Sequence, residues 1–177
     1  GMGMRSFGFK SGIGTASRKI KCGEKTYVLG AMVLNNMGVA GDLRIDGVPI
    51  GRMLTERQSK ASDPTGSIIM IIGTDAPLAS WELKRVARRV SFGLARTGGM
   101  ATHGSGDIAL AFSTASRTGE AERYIDEFFR ACIESVEEAI INSLLRAYTV
   151  VGRDGNTASA IPIDAVVELL MKHRGAG

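Results

Sequence analysis

The sequence predicts a layered α/β sandwich in which sheets are covered by helices. Three observations carry that reading. Two runs, 27–34 (YVLGAMVL) and 67–74 (SIIMIIGT), are apolar at both alternating sets of positions, as in strands buried on both faces. From Ser80 the apolar period becomes helical, with Leu83, Val86, Ala87, Val90 and Leu94 in step. Strand-like runs come first and helical ones later, an order that packs sheets under helices.

Taken in order, residues 7–21 alternate bulky and small side chains around Gly8, Gly12 and Gly14 and predict a bent hairpin. The strand at 27–34 follows. Residues 43–50 (LRIDGVPI) place apolar flanks around Asp46-Gly47, a pair that tolerates positive φ, and predict a second hairpin. The stretch 52–66 is polar, contains Pro64 and predicts a loop, which ends abruptly at the strand 67–74. Residues 80–97 predict one helix stopped by Gly98-Gly99. Residues 107–113 (DIALAFS) return to strand. Residues 120–147 predict a long amphipathic helix with Phe128, Val136, Ile140 and Leu144 on its apolar side, and Pro162 opens a final short helix. No internal repeat is visible, and residues 1–177 read as one domain.

A composition of 44% hydrophobic and 23% charged residues belongs to a globular chain, which excludes disordered and fibrous classes. A net charge of +4 would suit nucleic acid. Lys84, Arg85, Arg88 and Arg89, however, share one predicted helix without interleaved aromatics, so a solvated face is expected and no nucleic-acid partner. Cys22 and Cys132 form no C-x-x-C pair, and His103 and His173 are isolated, so neither a metal nor a cofactor is expected. Cys132 reads as a small core residue. No apolar run of about 18 residues is present to span a membrane, and residues 1–10 hold no apolar signal core. No membrane partner and a cytoplasmic location are expected.

Three places hold chemistry-bearing residues. At Gly66-Ser67 a polar loop meets a buried strand. Composition alone makes this a turn. If the Gly66-Ser67 bond were cut, however, Ser67 would carry a free α-amine beside its own hydroxyl. With a reference pKa near 7.7–8.0 that amine is a general base at neutral pH without any histidine. At 103–107 (HGSGD) an ordinary glycine-flanked turn would serve as well, but Ser105 and Asp107 are two residues apart and can point the same way toward a neighbouring strand. Asn35-Asn36 at the end of the 27–34 strand is a common turn pair; a fixed Asn amide can also stabilise an oxyanion, a role worth about 3 kcal/mol.

These segments carry a resemblance. The run 66–78 (GSIIMIIGTDAPL), with 93–98 (GLARTG), 104–108 (GSGDI), 111–114 (AFST), 9–18 (FKSGIGTASR) and 152–155 (GRDG), resembles the L-aminopeptidase/D-esterase/amidase (β-peptidyl aminopeptidase) family of self-processing serine N-terminal-nucleophile hydrolases. The resemblance covers nearly the whole chain, in order. It implies an αββα sandwich, self-cleavage between Gly66 and Ser67, and release of N-terminal residues from small peptides, amides or esters. By the same resemblance Ser67 is the nucleophile, Ser105 and Asp107 orient it, and Asn36, with Asn35 as the alternative, is the oxyanion donor. Residues 1–66 then match the end of the family's α-subunit and 67–177 its β-subunit. Family proteins are about twice this length. The resemblance therefore implies a further segment before residue 1, holding part of the sheets, an acidic group for the substrate amine and a tyrosine near the oxyanion.

Two other functions compete with a serine aminopeptidase or amidase. One is an acyltransferase like the ornithine acetyltransferases, which self-cleave at a threonine where this chain has Ser67. The other is a non-catalytic oligomeric or binding remnant. A sheet exposed where the further segment would pack predicts a homo-oligomer.

Overall fold

The computed structural model describes residues 2–55, 66–116 and 119–175. A small hairpin opens the chain: β1 (Arg5–Ser6) pairs antiparallel with β2 (Phe9–Lys10) across Phe7-Gly8, both in left-handed backbone with φ of 50° and 81°. That conformation costs a phenylalanine about 1–2 kcal/mol. Complete burial of its ring, worth about 1.5–3 kcal/mol, offsets the strain. Then β3 (Ile13–Cys22) and β4 (Lys25–Asn36) form a long antiparallel hairpin around Gly23-Glu24. The bent hairpin expected over 7–21 is therefore a tight turn followed by one straight strand. Of the small residues that suggested bends, Gly8 makes the turn and Gly14 is there for packing. A Cβ added at Gly14 would stand 1.9 Å from the Ala139 carbonyl oxygen of the helix crossing β3.

Residues 43–50 make the expected turn but no hairpin. Asp46 and Gly47 take φ of 53° and 74° within a single Ile45–Val48 bridge, and helix α1 (Ile50–Thr55) starts at once. Pro49 offers no N–H to a ladder, and Leu43, Ile45, Val48 and Ile50 are all drawn into the core. Helix α1 also takes the first four residues of the predicted loop 52–66; its positions 56–65 lie outside the described residues.

Strand β5 (Ser67–Thr74) pairs antiparallel with β4, and β6 (Ile108–Ser113) pairs parallel with β5, so the mixed sheet runs β3-β4-β5-β6. A parallel pair needs a long crossover. Helices α2 (Ser80–Ala87) and α3 (Val90–Arg96) supply it, and the start of β6 comes to lie beside the start of β5. The single helix expected over 80–97 is thus two. Val86, Val90 and Leu94 are all buried as expected. Between them Arg88 and Arg89 break the helix, and the Arg89 guanidinium lies over the Phe129 ring at 3.8 Å. That cation–π contact is long-range, so helical period could not announce it.

The predicted helix 120–147 resolves into a short 3-10 turn and α4 (Ile125–Leu145), which crosses β3 and β4 with Phe128, Cys132, Val136, Ala139, Ile140 and Leu144 fully buried. Helix α5 (Ile163–Gly175) packs on α1, and Arg174 reaches Asp46 at 2.5 Å.

One face of the sheet, with Leu29, Val33, Ile68 and Ile72, is buried with α4 in a single core. The other face carries Ile13, Val28, Met32, Ile69, Ile108, Leu110 and Phe112, all exposed. The runs 27–34 and 67–74 were expected to be buried on both sides; among the described residues only one side is covered. The four-stranded sheet and the helices on its buried face make an αβ half of the expected four-layer sandwich.

Candidate active site

Ser67 is the first residue of β5 and Asn36 the last of β4, and the antiparallel register sets them directly opposite each other. Side chains of directly paired residues share a face, here the open one. Because β6 runs parallel to β5, the turn that enters β6 arrives at the same end of the sheet. Ser105 and Asp107 lie in that turn rather than on the strand, which begins at Ile108. Their two-residue spacing closes a local hydrogen bond instead of a strand face: the Ser105 hydroxyl donates to Asp107 Oδ1. The same carboxylate oxygen accepts the Ile68 backbone N–H at 3.0 Å, fixing the start of β5 to the turn.

The Ser67 hydroxyl accepts a hydrogen bond from the Gly106 N–H at 2.9 Å. A lone pair of Oγ is thereby held while its own proton stays free to leave. Asp107 and Ser105 thus meet Ser67 through backbone, via Ile68 and Gly106. The Gly106 amide is the one contributor that reading by side-chain type passed over. A Cβ added at Gly106 would sit in ordinary contact with Ser67 Oγ, at 3.6 Å, which places this glycine against the candidate nucleophile.

The structure separates the two asparagines. Asn35 is fully buried on the helix side, where its Oδ1 accepts from Ser6 Oγ and its Nδ2 donates to Ser143 Oγ, both at 3.0 Å. Asn36 lies on the Ser67 face. Its Oδ1 accepts the Arg5 N–H at 3.0 Å, which leaves its Nδ2 without a partner among the described residues.

Gly66 precedes the nucleophile candidate in a conformation only glycine holds comfortably, φ 144°, and a Cβ there would stand 2.1 Å from the Asn36 carbonyl oxygen. Beside the junction a small cleft, with room for little more than a water molecule, is lined by Gly66, Ser105 and Asp107 together with the apolar Met37, Leu94 and Met100. Ala101, at φ 47°, forms part of the same wall. His103 is exposed in the turn. Among the described residues no group of three His, Cys, Asp or Glu side chains is placed to hold a metal.

The profile of Peptidase family S58 matches residues 1–158. The chain is 34% identical to the β-peptidyl aminopeptidase BapA of Sphingosinicella microcystinivorans, over 98% of this chain and 50% of that one. Among solved structures, the PH0078 protein of Pyrococcus horikoshii OT3 superposes with a TM-score of 0.88 at 46% identity, over 97% of this chain and 50% of that one. The L-aminopeptidase D-Ala-esterase/amidase of Ochrobactrum anthropi, described as a prototype serine aminopeptidase and a variant of the Ntn-hydrolase fold, superposes with a TM-score of 0.85 at 33% identity, again over 97% and 50%. The chain spans about half the length of each of these relatives. The resemblance read from the motifs and the fold built by the strands agree: this chain belongs to Peptidase family S58, and its fold is one half of an Ntn-hydrolase structure.

Proposed function

We propose that the chain carries the nucleophile half of a self-processing serine aminopeptidase or amidase that releases N-terminal residues from small peptides, amides or esters. The observation that carries this reading is the Ser67 junction: a serine at a strand start, its hydroxyl held by the Gly106 amide, directly after a glycine at φ 144°. In the first reaction Ser67 Oγ attacks the Gly66 carbonyl carbon and its proton passes to the departing nitrogen. The Gly66–Ser67 C–N bond breaks and an ester forms. Water then hydrolyses the ester, leaving a Gly66 carboxylate and a free Ser67 amine. That amine, with a reference pKa near 8, serves as the base for the same hydroxyl in later turnovers. Ser105 and Asp107 position Ser67 by fixing the Gly106 turn and Ile68. Asn36 Nδ2 donates to the oxyanion. Residues 1–66 and 67–177 become the two processed pieces and stay associated through the β4–β5 ladder, whose eight residue pairs straddle the cut.

The open apolar sheet face supports a second proposal, that a further segment or partner with a matching apolar sheet completes the sandwich, within a homo-oligomer. Two buried free thiols support a cytoplasmic setting. The open apolar face equally favours one competing reading, a non-catalytic oligomeric or binding remnant. Intact mass under denaturing conditions, followed by turnover of aminoacyl p-nitroanilides with a Ser67→Ala control, separates the readings. Cleavage to pieces of 66 and 177 − 66 = 111 residues, lost in Ser67→Ala, supports self-processing. A chain that stays whole at neutral pH and turns over no substrate overturns it and leaves the remnant.

A further inference from the structure

A pocket of about 290 Å³ opens beside the first residues of β3, at the C-terminal end of α4. It shares no lining residue with the cleft at Gly66 and Ser105, and β4 stands between it and the β5–β6 side of the sheet. Two cations line it. Lys10 is only 6% exposed, and its Nζ donates to the Ser11 carbonyl oxygen. The Arg146 guanidinium is exposed and has no hydrogen-bond or ion-pair partner among the described residues. Among the described residues that line the pocket there is no Asp or Glu. The end of α4 accounts for part of this charge, because a helix C-terminus carries about half a negative charge and favours nearby cations. Two cations against that half leave an excess of about 1.5 positive charges. Burial also pushes the Lys10 ammonium below its ordinary pKa. An anion in the pocket offsets both.

The hydroxyls in the same wall do not make a second nucleophile. Ser143 Oγ donates to the Ile140 carbonyl oxygen at 2.6 Å and accepts from Asn35 Nδ2 at 3.0 Å. Its one proton is therefore committed, and the Ser11–Ser143 contact at 3.0 Å takes the Ser11 proton. Neither hydroxyl keeps a proton for Lys10 to remove, so no Ser–Lys pair is set up. The pocket is shaped to bind and not to react. Beyond the two cations its wall is apolar at Ala147, Val150 and the Tyr148 ring, which is 74% exposed. We propose that this pocket is a binding site for a small carboxylate with a short apolar tail, its carboxylate between Arg146 and Lys10 and its tail along Tyr148 and Val150. A guanidinium pairs a carboxylate through two parallel N–H donors. Inorganic phosphate meets the same cations but offers the apolar wall nothing to bury. The site does not rest on any chemistry at Ser67.

Hexanoate is the probe, titrated into the whole chain at pH 7 and followed by saturation-transfer NMR. A ligand of so few atoms should bind with a Kd on the order of millimolar. Arg146→Gln should weaken binding more than tenfold, and Arg146→Lys should recover most of the loss. Tyr148→Ala should weaken hexanoate severalfold while leaving acetate, which has no tail to lay on the ring, within about twofold of the parent. Arg130→Gln removes an exposed α4 arginine outside the pocket and should leave binding unchanged. Hexan-1-ol and inorganic phosphate should each bind at least tenfold more weakly than hexanoate. Circular dichroism checks that every variant keeps the parent fold. No saturation transfer at about 50 mM hexanoate overturns the proposal, as does an Arg146→Gln chain that binds like the parent. Hexan-1-ol as tight as hexanoate overturns the carboxylate, and phosphate as tight as hexanoate overturns the tail.

Discussion

Replacing Gly66 by alanine loads the proposed cleavage junction with two separate penalties. An L side chain at φ 144° is strained by about 1–3 kcal/mol. Its methyl would also stand 2.1 Å from the Asn36 carbonyl oxygen, more than 1 Å inside ordinary contact. Either the junction or the end of β4 must move by about that much. Both options disturb the same place, since Asn36 pairs with Ser67 and turns its side chain to the Ser67 face. For a chain of this size each kcal/mol corresponds to about 2–4 °C, so Gly66→Ala should lower Tm by about 2–12 °C. A displacement of about 1 Å at a reacting centre costs about 100-fold in rate, so cleavage at Gly66–Ser67 should slow by that factor. Thermal unfolding by circular dichroism reads the first effect and a denaturing mass-spectrometry time course the second. A Tm within 1 °C of the parent, or processing within threefold of it, would refute the geometric argument.

The paired asparagines should behave as opposites. Asn35→Ala removes bonds to Ser6 and Ser143 in the core and should cost about 1–3 kcal/mol of stability, whereas Asn36→Ala should leave Tm nearly unchanged and lower turnover about 100-fold, as measured by urea unfolding and kcat. Asp107→Asn keeps the shape but weakens the bonds from Ser105 and Ile68; a Tm several degrees lower together with slowed processing is expected, and slowed processing alone would mean the carboxylate does not hold β5. Burial pushes the Cys132 thiol up to about 12, so iodoacetamide at pH 8 should not label it until the chain unfolds. Because its folded pKa lies above the unfolded value near 9, the stability held by the neutral thiol is whole below pH 9 and is lost as pH rises toward 12; Cys132→Ala should flatten that decline in a pH series of unfolding curves.

The sequence by itself determined those features whose cause is local. Dense apolar runs at 27–34 and 67–74 became β4 and β5, and helical period placed the buried stripe of α4. Ordered motifs across most of the chain marked the family, and through it Ser67 as the candidate nucleophile. The tertiary structure alone decided what depends on partners distant in the chain. Asn35 and Asn36 are one residue and one strand face apart, and only the register with β5 shows which one looks at Ser67. The Gly106 amide is backbone, invisible to any reading of side-chain types, and reaches Ser67 because the α2–α3 crossover makes β6 parallel to β5. Arg89, at the break between α2 and α3, stacks on Phe129, forty residues away, a contact that helical period cannot show. A strand that is apolar on both sides reports what its faces need, but not what covers them. One face of β5 meets α4 while the other, within the described residues, stands open, because burial is settled by the layers that pack and not by the strand that asks for them.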